Sequence, residues 1–129
     1  FISIGTNDLT MYLLAVDRTN ENLSHLYRSH HPIVLKVLSS IIKTACEKNT
    51  DLSVCGDVAS DPLMIPFLVG LGVRKLSVLP QSVEGVKRIL QNYSLDEMKI
   101  RAREMLGIKK LSEMENYKIR KDSCQKKNT

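Results

Sequence analysis

The residues best suited to chemistry lie in two short segments, each directly after an apolar run. The segment GTND at residues 5–8 follows the run FISI, and Cys55 with Gly56 follows the run LSV. A thiol can act as a nucleophile, as a proton donor or as a small buried apolar group. The Asp8 carboxylate can ligate Mg²⁺, and the N–H groups of Asn7 and Asp8 can hold an anion if the turn forms a nest.

A third candidate, Arg18, follows the first segment and carries a planar guanidinium that suits phosphate or carboxylate. Each candidate also has an ordinary structural interpretation. Asn7 and Asp8 can simply cap or turn the chain, and Arg18 can pair with a surface carboxylate. Cys55 can be an inert, packed side chain. Residue types and spacing alone leave both interpretations open.

Three short strand-like runs place these candidates in an α/β fold. The runs lie at residues 2–4, 52–54 and 76–78, and each leads through a loop into a helical pattern. The pattern predicts three βα units with parallel strands. Because functional loops of such units follow the carboxyl ends of the strands, residues 5–9, 55–57 and 79–81 should meet at one edge.

The first unit differs, because about two dozen residues separate its strand from a helix that begins near Pro32. The apolar stripe of that helix includes Ile33 and Cys46, so Cys46 is predicted to be inert packing. Two capping-box pairs, Ser94 with Glu97 and Ser112 with Glu115, mark further helix starts. The other helices are predicted from about Pro66 to Gly70 or Gly72, from Ser82 to Gln91, from Leu95 to about Leu106, and from about Glu113.

Composition fits one soluble globular unit of 129 residues, 43% hydrophobic and 26% charged. No apolar run approaches the about 20 residues that span a bilayer, so we expect no membrane insertion and a cytoplasmic location. Three cysteines without a CxxC pair indicate neither a disulfide framework nor a zinc knuckle. Phe1 already lies in a strand-like run, from which we expect a fragment or a processed piece.

Most of the net charge of +5 belongs to residues 118–129, which carry five basic residues against Asp122 alone. This segment lacks hydrophobic period and interleaved aromatic residues, so it is predicted to be a disordered tail and not a nucleic-acid-binding arm. Residues 1–117 are predicted to form the folded unit. His30 and His31 are interpreted as helix-entry residues, since histidine near a proline-started helix needs no catalytic reason.

Taken together, four motifs resemble the C-terminal end of enzyme I of the phosphoenolpyruvate-dependent sugar phosphotransferase system. They are FISIGTNDLT at 1–10, LAVDR at 14–18, SHLY at 24–27, and CG at 55–56 followed by Ala59 and Asp61. The resemblance covers the chain to about residue 106. GTNDLT, AVDR and CG are far more restrictive together than any one of them alone.

The resemblance implies a phosphoenolpyruvate-binding (β/α)₈ barrel, of which this chain is similar to the last three units and the trailing helices. It implies that the whole protein moves a phosphoryl group to a histidine of a separate domain and then to a histidine-containing phosphocarrier protein. Homodimerisation is also expected. Asn7, Asp8 and Arg18 match the substrate-binding residues, Asp8 also matches a Mg²⁺ ligand, and Cys55 matches the acid/base at the methylene carbon.

The sequence departs from this family in two places. Asp57 stands where the family usually has glutamate, and Ser60 stands where it usually has glycine. Neither is expected to touch a matched ligand. Two alternatives remain, a barrel of the pyruvate phosphate dikinase or phosphoenolpyruvate synthase kind and a non-catalytic dimerisation module. The second is raised by the unpaired strand edges that three βα units would leave.

Overall fold

The structure is a computed structural model that describes residues 1–125, with side chains to residue 123. It is an α/β fold, mostly helical. Two strands and six helices follow in the order β1 (Ile2–Gly5), α1 (Thr6–Leu14), α2 (Pro32–Glu47), β2 (Leu52–Cys55), α3 (Met64–Leu71), α4 (Val83–Gln91), α5 (Leu95–Gly107) and α6 (Leu111–Gln125). No helix in this described part is long and apolar enough to cross a membrane.

The two strands form a parallel sheet, as the sequence predicts. Ile2 pairs with Leu52 at one end of the register, and Gly5 pairs with Cys55 at the other. Ile4 and Val54, the central apolar residues of the strands, are buried beneath the helices. The register therefore brings the ends of β1 and β2 side by side, at the edge where the candidate residues follow.

The third predicted strand, at residues 76–78, is not a strand. It makes one isolated parallel bridge, from Leu76 to Val54. Its two backbone hydrogen bonds run from Ser77 N to Val54 O at 2.8 Å and from Val54 N to Lys75 O at 3.0 Å. Within the described residues no strand lies on the other side of this run, so the sheet has only the strands β1 and β2. The partial (β/α)₈ barrel stays a prediction.

Helix α1 corrects the expectation of a long first loop. It begins at Thr6, directly after β1, and is nine residues long. Leu9, Leu13 and Leu14 pack against the hydrophobic core, and Thr10 is fully buried. A helix with one buried face therefore lies where only a loop was expected, and the segment that connects α1 to α2 is shortened to residues 15–31.

Helix α2 begins at Pro32, as predicted, and His31 caps it by accepting a hydrogen bond at Nδ1 from the Ile33 N–H, 3.2 Å away. The predicted apolar face is partly wrong. Cys46 and Ile33 are exposed, so Cys46 is not packed inside as expected. The helix is turned so that its buried side chains are Val34, Leu35, Leu38, Ile42 and Ala45.

Helix α3 begins two residues before the predicted start, and its end at Gly72 is confirmed. Pro66 is tolerated because it lies in the first turn, where a backbone N–H has no intrahelical partner. Phe67 and Leu68 are completely buried. A Cβ on Gly70 would collide with the carbonyl group of Met98, so glycine permits the close approach of α3 to α5.

The predicted helices 82–91 and 95–106 are confirmed as α4 and α5, and the Ser94–Glu97 capping box is complete. The second predicted capping box is wrong. Helix α6 begins at Leu111, and the Glu115 carboxylate pairs with Arg28 and His30 instead of capping the helix. The boundary at residue 117 stays a prediction, but α6 runs across it to Gln125. Residues 126–129 lie outside the described part of the chain.

Candidate functional site at the strand edge

The candidate site is built where β1 passes into α1 beside the end of β2. Thr6, the first residue of α1, is fully buried and donates its hydroxyl to the Cys55 carbonyl oxygen at 2.6 Å. Gly5 lies opposite Cys55 in the strand register. The buried Thr6 hydroxyl therefore fastens the first strand end to the second.

Cys55 ends β2 and is partly exposed. Its Sγ donates to the carbonyl oxygen of Ile4 on the neighbouring strand, 3.5 Å away. This contact lies at the edge of the sheet where the polar segment follows β1. A protonated, partly accessible thiol is suited to proton donation.

Gly56 must be glycine for two reasons. Its φ of +96° is a conformation that other residues rarely adopt. A Cβ at this position would overlap the Thr6 hydroxyl oxygen and would lie 2.8 Å from Asn7 Oδ1. The absence of a side chain therefore lets the backbone after Cys55 lie directly against the start of α1.

Asp57 joins two of the predicted substrate-binding residues. Its backbone N–H donates to Asn7 Oδ1 at 3.0 Å, and its carboxylate oxygen Oδ2 accepts from Arg18 Nη1 at 3.1 Å. The expectation that Asp57 touches none of the matched residues is wrong. The aspartate in place of the family's usual glutamate gave no sign of this role, because the contact with Arg18 depends on how the segment 15–31 folds back.

Arg18 has the surface ion pair that the structural interpretation proposed. The side chains of Arg18 and Asp57 remain 43% and 68% exposed, so the pair contributes only about 0–1 kcal/mol. Asp17 accepts hydrogen bonds from the N–H and the hydroxyl of Thr19, which lower the pKa of the Asp17 carboxyl. The local turn is thus fixed while the guanidinium stays accessible to an anion.

Asp8, the predicted metal ligand, is exposed on the first turn of α1, and one of its carboxylate oxygens lies about 4.0 Å from where a Cβ on Gly5 would be. Among the described residues no group of three or more His, Cys, Asp or Glu side chains could hold a metal. Mg²⁺ commonly uses one or two protein carboxylates, with water and substrate phosphate completing its shell. Asp8 fits the part of a single contributed ligand.

Tyr27 is a further residue of the site that sequence reasoning missed. Burial raises the pKa of its hydroxyl, on which Thr10 and the charges of Asp57, Arg18 and Asp8 also act. The hydroxyls of Tyr27 and Thr10 are both buried and have no hydrogen-bond partner of good geometry, but they lie near enough for Thr10 to oppose the rise in the pKa of Tyr27. The SHLY motif contained this residue, but only the folded segment places it beneath the charged cluster.

The histidines lie outside this cluster. His25 is exposed. His31 caps α2, and the buried His30 places Nε2 2.9 Å from Glu115 Oε1. The interpretation of His30 and His31 as helix-entry residues agrees with the His31 cap.

The family model and the similar proteins all point to the same family. Residues 1–95 match the family described as PEP-utilising enzyme, PEP-binding domain. The Salmonella typhimurium protein named Phosphoenolpyruvate-dependent phosphotransferase system is 42% identical over 114 residues, 88% of this chain and 15% of that protein. The Borreliella burgdorferi protein named Phosphoenolpyruvate-protein phosphotransferase is 39% identical over 117 residues, 91% of this chain and 20% of that protein.

The Pyrococcus horikoshii protein named Probable phosphoenolpyruvate synthase is 42% identical over 90 residues, 70% of this chain and 11% of that protein. The chain therefore spans a fifth or less of the length of these three relatives. The match to the family covers both strand ends and the polar cluster between them. On this evidence the chain belongs to the PEP-utilising enzymes, with their PEP-binding domain at residues 1–95.

Proposed function

We propose that this chain is the C-terminal part of a phosphoenolpyruvate-binding (β/α)₈ barrel in a phosphoenolpyruvate-protein phosphotransferase. The observation that carries the proposal is that Asn7 and Arg18 both contact the turn at residues 55–57, which begins with Cys55. Asn7 and Arg18 both contact Asp57, two residues after Cys55. The Borreliella burgdorferi relative of that name aligns over 91% of the chain, and the Salmonella typhimurium relative named Phosphoenolpyruvate-dependent phosphotransferase system aligns over 88%.

The polar cluster is suited to bind the substrate's anionic groups. Arg18 presents several N–H donors in a planar fork that matches carboxylate or phosphate oxygens. Only one of its nitrogens is engaged with the mostly exposed Asp57. An incoming anion can therefore share or replace that contact at little cost. Asn7 supplies amide N–H donors next to the same turn.

Asp8 would contribute one carboxylate to a Mg²⁺ ion shared with the substrate and with residues elsewhere in the protein. The ion would supply charge stabilisation at the oxygens of the substrate. The chain's own part is to orient Asp8, which it does by placing it in the first turn of α1 directly after the strand.

Cys55 would complete the reaction as a proton donor. When the phosphoryl P–O bond breaks and the phosphoryl group passes to a histidine nitrogen, the enolate of pyruvate remains. The Cys55 thiol gives its proton to the methylene carbon, forming the C–H bond of pyruvate, and the resulting thiolate regains a proton from water. The thiol acts as an acid, not as a nucleophile.

The phosphorylated histidine would lie in a separate domain, which passes the phosphoryl group to a histidine-containing phosphocarrier protein. We place the protein in the cytoplasm as a homodimer. The isolated 129 residues are expected to bind phosphoenolpyruvate weakly and to turn over none, since a full barrel needs about 250 residues.

The test is pyruvate release by the complete protein with Cys55→Ala, and Cys46→Ala as the matched control. Loss of the proton donor should slow pyruvate release by about 10²- to 10⁴-fold, with binding of phosphoenolpyruvate retained. Cys46 is exposed and outside the cluster, so Cys46→Ala should leave the rate unchanged. A normal rate in Cys55→Ala would remove Cys55 from the chemistry.

The alternative is a phosphoenolpyruvate synthase, because the Pyrococcus horikoshii relative of that name is 42% identical. That alignment ends after 90 residues, whereas the phosphotransferase alignments cover 114 and 117. A nucleotide assay on the complete protein separates the two. Dependence of turnover on ATP or AMP would favour the synthase and contradict our proposal.

A non-catalytic dimerisation module is the second alternative. It draws support from β1, whose outer edge is unpaired within the described residues, and from Phe1, which is 80% exposed. This alternative predicts that the complete protein dimerises but does not bind phosphoenolpyruvate. Titration calorimetry with phosphoenolpyruvate decides between the module and the enzyme.

A further inference from the structure

The segment 15–31 touches the molecule at two distant places, and the second has no part in the proposed chemistry. Near its start, Arg18 reaches Asp57. Near its end, Arg28 and His30 both reach Oε1 of Glu115 on α6, at 3.2 Å from Arg28 Nε and 2.9 Å from His30 Nε2. One carboxylate oxygen on the C-terminal helix thus holds the far end of the segment that carries Arg18.

Glu115 is a firm anchor because its neighbours on α6 are in the core. Met114 is completely buried and Tyr117 is 6% exposed. The hydrogen bond from His30 lowers the pKa of the Glu115 carboxyl, and the electrostatic interactions with His30 and then Arg28 lower it further, against a smaller opposing effect of burial. Glu115 also borders a polar cavity of about 310 Å³, so a neutral side chain at this position can be hydrated.

The anchor continues through Arg28 to the backbone of Tyr27. Arg28 pairs with Glu115 through Nε and donates from Nη1 to the Tyr27 carbonyl oxygen at 3.1 Å. The guanidinium therefore bridges the helix and the segment, and removing Glu115 would free the Arg28 end of this bridge. His30, 4% exposed, adds a second attachment to Glu115 two residues after Arg28.

Tyr27 connects the anchored end of the segment 15–31 with the candidate site. Its hydroxyl is buried, and the charges that act on it belong to Asp57, Arg18 and Asp8. The Thr10 hydroxyl beside it projects from α1, the helix that carries Asn7 and Asp8 in its first turn. Along the segment, Tyr27 thus lies between the anchored Arg28 and Arg18, and its buried hydroxyl is near the helix that carries Asn7 and Asp8.

We propose that Glu115 is a positioning residue for substrate binding, which holds Arg28 and thereby Tyr27 so that Arg18 stays at the strand edge. The inference rests on the proposed function, because it assigns Arg18 to the substrate. It adds a role for the C-terminal helix, which lies beyond the matched PEP-binding domain at residues 1–95.

The experiment is a double-mutant cycle in the complete protein, measuring KM for phosphoenolpyruvate and kcat. Glu115→Gln keeps the size and removes the charge, and Glu113→Gln makes the same change at an exposed position of the same helix. We expect Glu115→Gln to raise KM about fivefold with kcat changed less than about twofold, the scale of coupling between residues in one network. Glu113→Gln should change neither.

The second arm uses Arg18→Lys, which keeps the charge but not the fork. In the Arg18→Lys background, Glu115→Gln should add no further rise in KM. Glu115 positions residue 18, and a lysine there no longer makes the two-pronged contact with the substrate. The same fivefold rise in both backgrounds, or no rise in either, would overturn the inference. Arg28→Gln breaks the bridge from its other end and leaves His30 on Glu115, so it should reproduce the rise in KM even if Glu115→Gln folds poorly.

Failure of the proposed function gives a different result. If Arg18→Lys alone left KM unchanged, Arg18 would not bind the substrate and the assignment of the site itself would fall. If Arg18→Lys raised KM but neither Glu115→Gln nor Arg28→Gln did so, the site would stand and only the role of Glu115 would be wrong.

Discussion

The strand edge and the helical layer beside it are held in place by different forces. At the edge, Asn7, Arg18 and Asp57 are joined by single hydrogen bonds, and the side chains of Arg18 and Asp57 remain exposed. In the helical layer, Phe67 and Leu68 of α3 are completely buried. Burial of apolar area supplies most of the folding free energy, whereas exposed polar contacts supply little. The layer therefore stabilises the fold, and the edge is free to exchange its contacts for a ligand.

The largest expected effect is on stability, from Phe67→Ala in the helical layer. Removal of a fully buried aromatic side chain should lower the free energy of unfolding by about 3–5 kcal/mol. The measurement is amide hydrogen exchange of α3 and α5 in the complete protein. Ile119→Ala, at a side chain that is 62% exposed, should change it by less than about 0.5 kcal/mol. A rise in KM for phosphoenolpyruvate in the folded Phe67→Ala protein would contradict the view that the helical layer affects stability and the strand edge affects binding.

The next largest effect should come from Gly56→Ala, at the point of the strand edge where the backbone after Cys55 lies against the start of α1. A non-glycine residue at a φ of +96° costs about 1–3 kcal/mol, and the added Cβ would displace Thr6 and Asn7. We expect both a lower thermal midpoint and a higher KM. Gly85→Ala is the matched control, because nothing lies within 4 Å of its Cβ and alanine favours a helix. An unchanged KM in Gly56→Ala would show that the edge tolerates displacement.

The smallest effect concerns His31, which caps α2 through a neutral ring nitrogen. Burial, with a smaller contribution from His30, lowers the pKa of His31 below its ordinary 6.5. The folded state thus binds fewer protons than the unfolded state, so the cap's contribution is present above pH 6.5 and is lost as the pH falls through the folded pKa. The loss should amount to about 0.5–2 kcal/mol, the worth of a helix cap.

The matched variant is His31→Asn, because asparagine caps helices well and does not titrate. Hydrogen exchange in the first turn of α2 should become faster below pH 6.5 in the natural protein, relative to the variant measured at the same pH. Equal acid sensitivity in the two proteins would assign the effect to another group.

The sequence predicted the parts of the molecule that depend on local pattern. The strands β1 and β2, the start of α2 at Pro32 and the Ser94–Glu97 cap follow from residue type and spacing. The motif resemblance predicted the family, which the match over residues 1–95 confirms. Placement of Asn7 and Cys55 at one edge followed from the rule that parallel strand ends meet.

The parts that were missed depend on contacts between distant residues. Asp57 was read only as a shorter glutamate, since its contact to Arg18 joins residues 39 positions apart. Glu115 was read as a local cap, but the hydrogen bond with His30 spans 85 positions. The third strand was predicted from its β-type run, but residue type does not show how many bridges form, and the run makes only the bridge from Leu76 to Val54. Cys46 was misplaced because the predicted apolar stripe was wider than the face that α2 buries.

The direct passage of β1 into α1 has a consequence for how the site comes into being during folding. Asn7 and Asp57 are 50 positions apart, so the cluster exists only after the chain between them has closed into a loop. Contacts of such high sequence separation are costly in chain entropy and form slowly. Helix α1 can begin to form alone, but its Thr6 hydroxyl gains the Cys55 carbonyl only when β2 arrives. The step that pairs the strands is therefore the same step that brings Cys55, at the end of β2, to the start of α1, which carries Asn7 and Asp8.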